Sequence, residues 1–314
     1  MGEHDQRFKV LLREFLPDFL RLFFPERAAL FDLEQVEWLD KELFVDPPQG
    51  DVLLLDLVAR LRLRSAERKS ALALVHIEVE SRDAVAAMPR RMFDYYVPLR
   101  RNHNCPVLPI AVYLRVGRDG IGVDTYTEEF GGLEVLRFQY LYVGLPALEA
   151  ERYVAGASWL GVALAALMRV APARKVWLRA EALRRVLVEC RENDYRRLLL
   201  QECVEAYLQL NEEEQRYFDQ LLHTEPYQEI EPMMITTYEK GIAKGLQEGR
   251  EMGLQEGRRE AARLLLVRKF GPLNEAVLAR LAAWPAERLD ELLLAVLDAP
   301  SLAALGLEEG NGEP

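Results

Sequence analysis

Apolar residues recur at three- and four-residue steps in the first part of the chain, over residues 8–24. This spacing predicts an amphipathic helix whose apolar side packs on a core. Pro17 lies inside the predicted helix and favours a kink, and Pro25 marks its end. We therefore expect a buried helix as the first element.

β-Branched and aromatic residues then dominate five short segments, several with alternating apolar and polar positions. The predicted strands cover residues 36–39, 52–63, 71–79, 107–114 and 133–143. A helical pattern at residues 84–101 separates the third strand from the fourth. Because such a crossover joins parallel strands, the order predicts an α/β fold with a mixed sheet flanked by helices.

The later part of the chain is patterned almost entirely as helix. We expect an α/β core at residues 1–146, a helical extension at 147–238, a glycine-repeat helix at 239–260 and a small C-terminal helical domain at 261–314.

Glycine occupies every fourth position from Gly241 to Gly257. On a helix with 3.6 residues per turn these glycines form a slowly winding stripe, which would let a second helix approach closely. We expect a homo-oligomer joined through this helix. A flexible tether between domains is the alternative, since Gly with Gln, Glu and Lys is also linker composition.

The overall charge restricts the possible partners. The 314-residue chain carries a net charge of −11, which opposes wholesale binding to phosphate or anionic lipid, so any nucleic-acid site must be a local patch. The longest apolar run, residues 159–168, is well short of the roughly 20 residues that span a bilayer, and residues 1–7 lack an apolar signal region. We expect no membrane partner and a cytoplasmic location.

Cysteine and histidine do not form a metal-binding pattern. Cys105, Cys190 and Cys203 show no Cys-x-x-Cys spacing, and no two histidines lie at helical ligand spacing. We expect the cysteines to be reduced and buried. Carboxylates must then carry any metal chemistry.

Three acids are the candidates for that chemistry. Alternation along residues 75–80 places His76, Glu78 and Glu80 on one face of a strand. Asp56 begins an upstream strand, and a hairpin between the two would bring Asp56 and Glu78 together near one sheet end. Paired carboxylates suit Mg²⁺ or Mn²⁺, which can clamp a phosphate and its attacking water. The alternative is that the acids face solvent on an edge strand.

The surrounding charge favours a phosphate-containing substrate. Residues 60–118 contain twelve basic and five acidic residues, a net charge of +7, so the rest of the chain carries −18. A positive region around a metal site is what a phosphodiester substrate needs. A solvated arginine-rich face is the alternative interpretation.

In their order and spacing these motifs resemble the PD-(D/E)xK nuclease superfamily, and specifically the bacterial recombination-promoting nuclease or putative transposase family. The matching segments are residues 4–9, 56–58, 74–80, 91–95 and, in a C-terminal helical domain of unknown function, 266–271. With the glycine-repeat helix, the resemblance covers most of the chain.

The resemblance implies a restriction-endonuclease-like fold and metal-dependent DNA cleavage, with Asp56 and Glu78 as ligands of Mg²⁺ or Mn²⁺. Glu80 departs from the pattern, because the superfamily has Lys there and this family usually Gln, whereas a carboxylate cannot stabilise a hydroxide. Glu80 could be a further metal ligand, a general base or the mark of an inactive site. Glu14 of the first helix could add another acid.

The leading interpretation is a DNA endonuclease linked to recombination or mobile elements, in which metal-bound water attacks a phosphodiester and Arg90 or Arg91 steadies the DNA backbone. The alternative is a catalytically impaired DNA-binding or assembly protein that retains the nuclease fold.

Overall fold

The computed structural model describes residues 3–39, 43–45, 52–54, 56–64, 72–80, 85–282, 284 and 288–307. The chain divides into two compact units, Met1–Glu239 and Lys240–Pro314. The first unit contains a six-stranded mixed sheet with helices, which confirms the predicted α/β class.

The described strands are β1 (Phe31–Trp38), β2 (Leu43–Val45), β3 (Val52–Leu54), β4 (Leu57–Leu63), β5 (Leu72–Glu80), β6 (Val107–Tyr113), β7 (Gly120–Phe130) and β8 (Leu133–Gly144). The order across the large sheet is β1-β4-β5-β6-β8-β7, and β2 and β3 form a separate antiparallel pair. Strand β5 runs antiparallel to β4 and parallel to β6. It is therefore an internal strand.

The described α-helices are α1 (Glu3–Phe23), α2 (Pro25–Ala28), α3 (Met88–His103), α4 (Ala150–Val154), α5 (Trp159–Leu164), α6 (Lys175–Arg184), α7 (Asp194–Tyr207), α8 (Glu212–Leu222), α9 (Ile230–Phe270), α10 (Glu275–Ala282) and α11 (Leu289–Asp298). Helix α3 forms the predicted crossover between β5 and β6. Helix α1 bends at Phe15, where φ is −115° and ψ is 23°, two residues before Pro17. A proline inside a helix removes a hydrogen bond and crowds the preceding turn, so the predicted kink is confirmed.

One large core joins α1, one face of the sheet and the helices of residues 147–238. Helix α1 packs against α7, where the rings of Phe8 and Tyr207 meet edge to face with centroids 6.3 Å apart. Arg196 of α7 also donates to Asp18 of α1 at 2.8 Å. The helical extension is therefore part of the packing that holds α1 in place.

The predicted strand at residues 52–63 is two strands, because the chain bends at Asp56 between β3 and β4.

Strand β7 was not predicted. It pairs with β8 along its whole length, and Gly131 and Gly132 connect the two with φ values of 60° and 83°. Glycine readily adopts positive φ, so the Gly131–Gly132 dipeptide was a signal in the sequence for this hairpin.

The three cysteines are free thiols, as expected. Cys190 and Cys203 are buried, whereas Cys105 is only partly buried.

The second unit has its own apolar core, formed by Ala262, Leu266, Val277, Leu281, Leu292, Val296 and Leu307. Helix α9 ends at Phe270, and Gly271 follows it with φ of 86°, a common way to terminate a helix. Within the described residues, no helix is both long and apolar enough to cross a membrane.

Candidate active site

The β4–β5 pairing brings Asp56 and Glu78 together. Leu57 lies opposite Ile77 in the antiparallel register, so the residue before β4 faces Glu78. The Asp56 backbone N–H donates to Glu78 Oε1 at 3.1 Å, and the Val79 N–H donates to Asp56 Oδ2 at 2.9 Å. Glu78 thus binds the backbone of Asp56, and Asp56 binds the backbone of the residue that follows Glu78, so the predicted convergence is confirmed.

The other acid on β5 shares the face of Glu78, as the alternation predicts. His76, Glu78 and Glu80 are only 0%, 3% and 5% exposed. His76 meets the ring of Tyr95 on α3 edge to face at 5.7 Å, which identifies this as the face that α3 covers. The alternative of solvent-facing acids on an edge strand is therefore wrong, because β5 is internal and its acids are buried.

Helix α1 contributes a cation that the sequence analysis missed. Lys9 is 4% exposed, and its Nζ lies 2.5 Å from Asp56 Oδ1. Glu14, the α1 acid considered for the site, instead lies near Arg196 of α7, with Oε1 and Nε 3.6 Å apart. The first helix thus brings a basic side chain to Asp56, and the acid that could have joined the site pairs elsewhere. The side chains of His4 and Asp5 in the opening motif lie outside the described residues.

The two arginines predicted to contact DNA lie in different environments. Arg91 donates to Glu80 Oε2 at 3.0 Å, and its Nε lies 3.7 Å from Glu78 Oε2. Burial disfavours its charge, but these two carboxylates outweigh that effect and raise the pKa of Arg91. Arg90 is directed outward, 76% exposed at its side chain, with its Nε 3.6 Å from Asp94.

His76 and Tyr95 form the buried side of the site. His76 Nε2 lies 2.9 Å from Glu78 Oε1, while Nδ1 is buried without a hydrogen-bond partner among the described residues. A neutral His76 would therefore carry its proton on Nε2 and donate it to Glu78. Burial and the Glu78 charge raise the pKa of Tyr95 to about 12, so its hydroxyl stays protonated at neutral pH.

The charges in the site leave an excess of negative charge. Three carboxylates, those of Asp56, Glu78 and Glu80, face two basic side chains, Lys9 and Arg91. Burial, followed by the charge of Glu78, raises the pKa of Asp56 to about 6, although Lys9 and the Val79 N–H lower it. A further cation at this position would stabilise the ionised carboxylates, because it would offset their burial and their mutual repulsion.

The donor set fits a hard divalent cation in part. Among the described residues, no three or more His, Cys, Asp and Glu side chains form a cluster that could hold a metal. Mg²⁺, however, often uses only one or two carboxylates and completes its shell with water and substrate oxygens. Asp56 and Glu78 are a pair of that kind, since both are acidic oxygen donors at one sheet end.

Comparisons of this chain with protein-family models, with curated proteins and with solved structures gave no match.

Proposed function

We propose that this protein is a metal-dependent DNA endonuclease that hydrolyses phosphodiester bonds, with Asp56 and Glu78 as ligands of Mg²⁺ or Mn²⁺. The observation that carries the proposal is the meeting of these two carboxylates, from separate strands, with Lys9 and Arg91 beside them. Few purely structural needs call for two acids and two cations at one buried sheet end, because burying such groups is costly.

Each residue has a distinct part in the proposed reaction. A bound Mg²⁺ would polarise a phosphodiester oxygen and make water a better nucleophile. His76 holds Glu78 in one orientation through its 2.9 Å contact. Arg91, held by Glu80 yet partly exposed, can donate to a phosphate oxygen as well. In this proposal Glu80 positions Arg91, which adds a fourth role to those that the sequence left open.

DNA is the proposed substrate because of where the positive charge lies. The stretch of sequence that contains Glu78 and Glu80, residues 60–118, carries a net charge of +7. Arg90 presents an exposed guanidinium on α3, one residue before Arg91. Phosphate contacts supply most sequence-independent affinity for DNA. A role in recombination or mobile elements and a cytoplasmic location belong to the same proposal and rest on the sequence resemblance and the sequence pattern.

A plasmid-cleavage assay tests the proposal. The wild type should cleave supercoiled, linear or single-stranded DNA with Mg²⁺ or Mn²⁺ and lose that activity in EDTA. Asp56→Asn and Glu78→Gln should each lower the rate by at least about 100-fold, since each neutralises a proposed ligand without changing side-chain size. Glu134→Gln is the matched control, because Glu134 is an exposed carboxylate on β8 that pairs with Arg137. Unchanged cleavage by either site variant would overturn the assignment.

A catalytically impaired DNA-binding or assembly protein is the second candidate. The observation that favours it is that Lys9 and Arg91 already contact all three carboxylates. Retardation of DNA in EDTA, together with no cleavage under any metal, would select this candidate over the nuclease.

We also propose that the chain self-associates through α9. This helix is 41 residues long, and its glycines would weaken it in isolation. Gly253 and Gly257 are exposed, with open space where a Cβ would lie, and Leu254 between them is 53% exposed. Gly241, Gly245 and Gly249 lie outside the residues whose surroundings are described.

A further inference from the structure

Lys9 is a lysine in a position where an apolar residue would be expected. It lies three, seven and eleven residues before Leu12, Leu16 and Leu20, all of them buried on the core side of α1. Lys9 is only 4% exposed, so its stem is buried on this side of the helix, and its ammonium ends at Asp56. A buried ammonium is strongly unfavourable without an anionic partner, so this placement ties the lysine to the carboxylate.

The two oxygens of Asp56 have different partners. Oδ2 accepts the Val79 backbone N–H and is held by the strand. Oδ1 faces the Lys9 ammonium at 2.5 Å. Since the strand fixes Oδ2, Oδ1 is the oxygen more readily offered to an added cation. A divalent ion at contact distance from Oδ1 would lie close to a like charge on Lys9, and the two would repel each other.

We infer that Lys9 is a tethered cation that holds the place of a divalent ion at Asp56 and competes with it. The inference rests on the proposed function insofar as it takes Asp56 to be a metal ligand. In the metal-free protein the ammonium neutralises Asp56. When the divalent cation binds, the ammonium leaves Oδ1 but stays in the site, because the stem of Lys9 is buried.

This competition gives Lys9 a measurable signature that a purely structural lysine lacks. If Lys9 only neutralises a buried acid, its removal destabilises the protein and leaves metal affinity unchanged or weaker. If Lys9 competes for Asp56, its removal makes metal binding tighter. The metal should then also restore the stability that the variant loses in EDTA.

Calorimetric titration with Mn²⁺ and with Mg²⁺, on the full-length protein, tests the inference. Lys9→Met keeps the stem and removes the charge, and we expect its Kd for the ion to fall by about tenfold or more, within the range of ordinary coupling between sites. Arg91→Met is the matched control, because it removes a cation that contacts Glu78 and Glu80. A smaller gain in Arg91→Met supports direct competition at Asp56, whereas equal gains would overturn it in favour of general electrostatics.

Two further measurements keep the test decisive. Lys9→Gln retains a donor for Asp56 without the charge, and it replaces Lys9→Met if that variant does not fold. On the wild type, the ¹⁵N resonance of the Lys9 ammonium, identified by its loss in Lys9→Arg, should shift when Mg²⁺ is added. An unchanged resonance at metal saturation would overturn the inference.

The outcomes separate this inference from the proposed function. If the wild type binds the ion and Asp56→Asn does not, but Lys9→Met binds no more tightly, only the tethered-cation role fails. If neither the wild type nor any Lys9 variant binds Mn²⁺ or Mg²⁺, both fail.

Discussion

Arg90 and Arg91 are adjacent in sequence, yet their ion pairs contribute very differently to the stability of the fold. Arg91 neutralises the buried Glu78 and Glu80, whereas Arg90 forms an exposed pair with Asp94. Removing one partner of a buried ion pair leaves an uncompensated charge, while exposed pairs contribute little. The two positions therefore form a natural comparison.

We predict that Arg91→Ala lowers the free energy of unfolding by at least about 2 kcal/mol, and Arg90→Ala by less than about 1 kcal/mol. Urea denaturation of both variants in EDTA measures the difference. Equal losses would mean that Arg91 does not neutralise the buried acids.

Asp56 makes stability depend on pH. Its pKa rises from 3.8 to about 6 in the folded protein, so between those values the folded state holds a proton that the unfolded state has released. The stabilisation from that proton is present below the unfolded value and is lost as pH rises through about 6.

We predict that the stability of the wild type relative to Asp56→Asn falls between about pH 4 and pH 7 in EDTA, by up to about 3 kcal/mol. The expected direction follows because the asparagine variant has no proton to lose at this position. Denaturant unfolding across that range gives the difference, and a constant offset between the two proteins would contradict the prediction.

At the scale of elements, sequence periodicity predicted only the part of the site that two neighbouring strands, β4 and β5, form. Alternation along β5 and an acid at the start of β4 are local patterns, and an antiparallel hairpin converts them into the Asp56–Glu78 contact. Lys9, on α1, lies 47 residues before Asp56, and no local pattern encodes the contact between them. The available signal was a lysine in line with Leu12 and Leu16, since a charge on a buried face requires a partner.

Helix α9 is the element whose assembly can be tested directly. We predict that Gly253→Leu with Gly257→Leu reduces or abolishes self-association, because the added side chains fill the space that a second helix would need. Light scattering of the wild type and the double variant measures the change. Arg263→Leu is the control, because it adds a leucine to α9 outside the glycine repeat, at a position whose side chain is 43% exposed.

A monomeric wild type, or a double variant that assembles as the wild type does, would exclude this stretch of α9 as the interface. A variant that assembles more strongly would mean that added apolar surface, and not close helix approach, drives association.

For the whole molecule, the uneven distribution of charge matters more than its total. A net charge of −11 coexists with +7 over residues 60–118. Under the proposed function, DNA would be attracted to the residues of this stretch and repelled by the acidic remainder of the chain, which favours one orientation of a bound duplex.

We predict that DNA affinity in Ca²⁺ or EDTA falls steeply with salt, and that Arg90→Ala with Arg100→Ala reduces the slope of log affinity against log salt by about one per lost phosphate contact. Both arginines are exposed on α3. Arg137→Ala, outside the positive region, should leave the slope unchanged, and fluorescence anisotropy at several salt concentrations measures all three proteins. An unaltered slope in the double variant would place the DNA surface elsewhere.

The packing of α1 against α7 has a consequence for how the protein is made. Lys9 emerges early from the ribosome and Asp56 soon after, but α1 is held by contacts to Tyr207 and Arg196, which are synthesised much later. A nascent chain released before α7 would carry the acids of the site without a firmly positioned lysine. We therefore expect a fragment of residues 1–146, made by truncation or gene fusion, to retain the acids of the site. In such a fragment Lys9 would no longer be held next to Asp56, so the charge of Asp56 would not be neutralised.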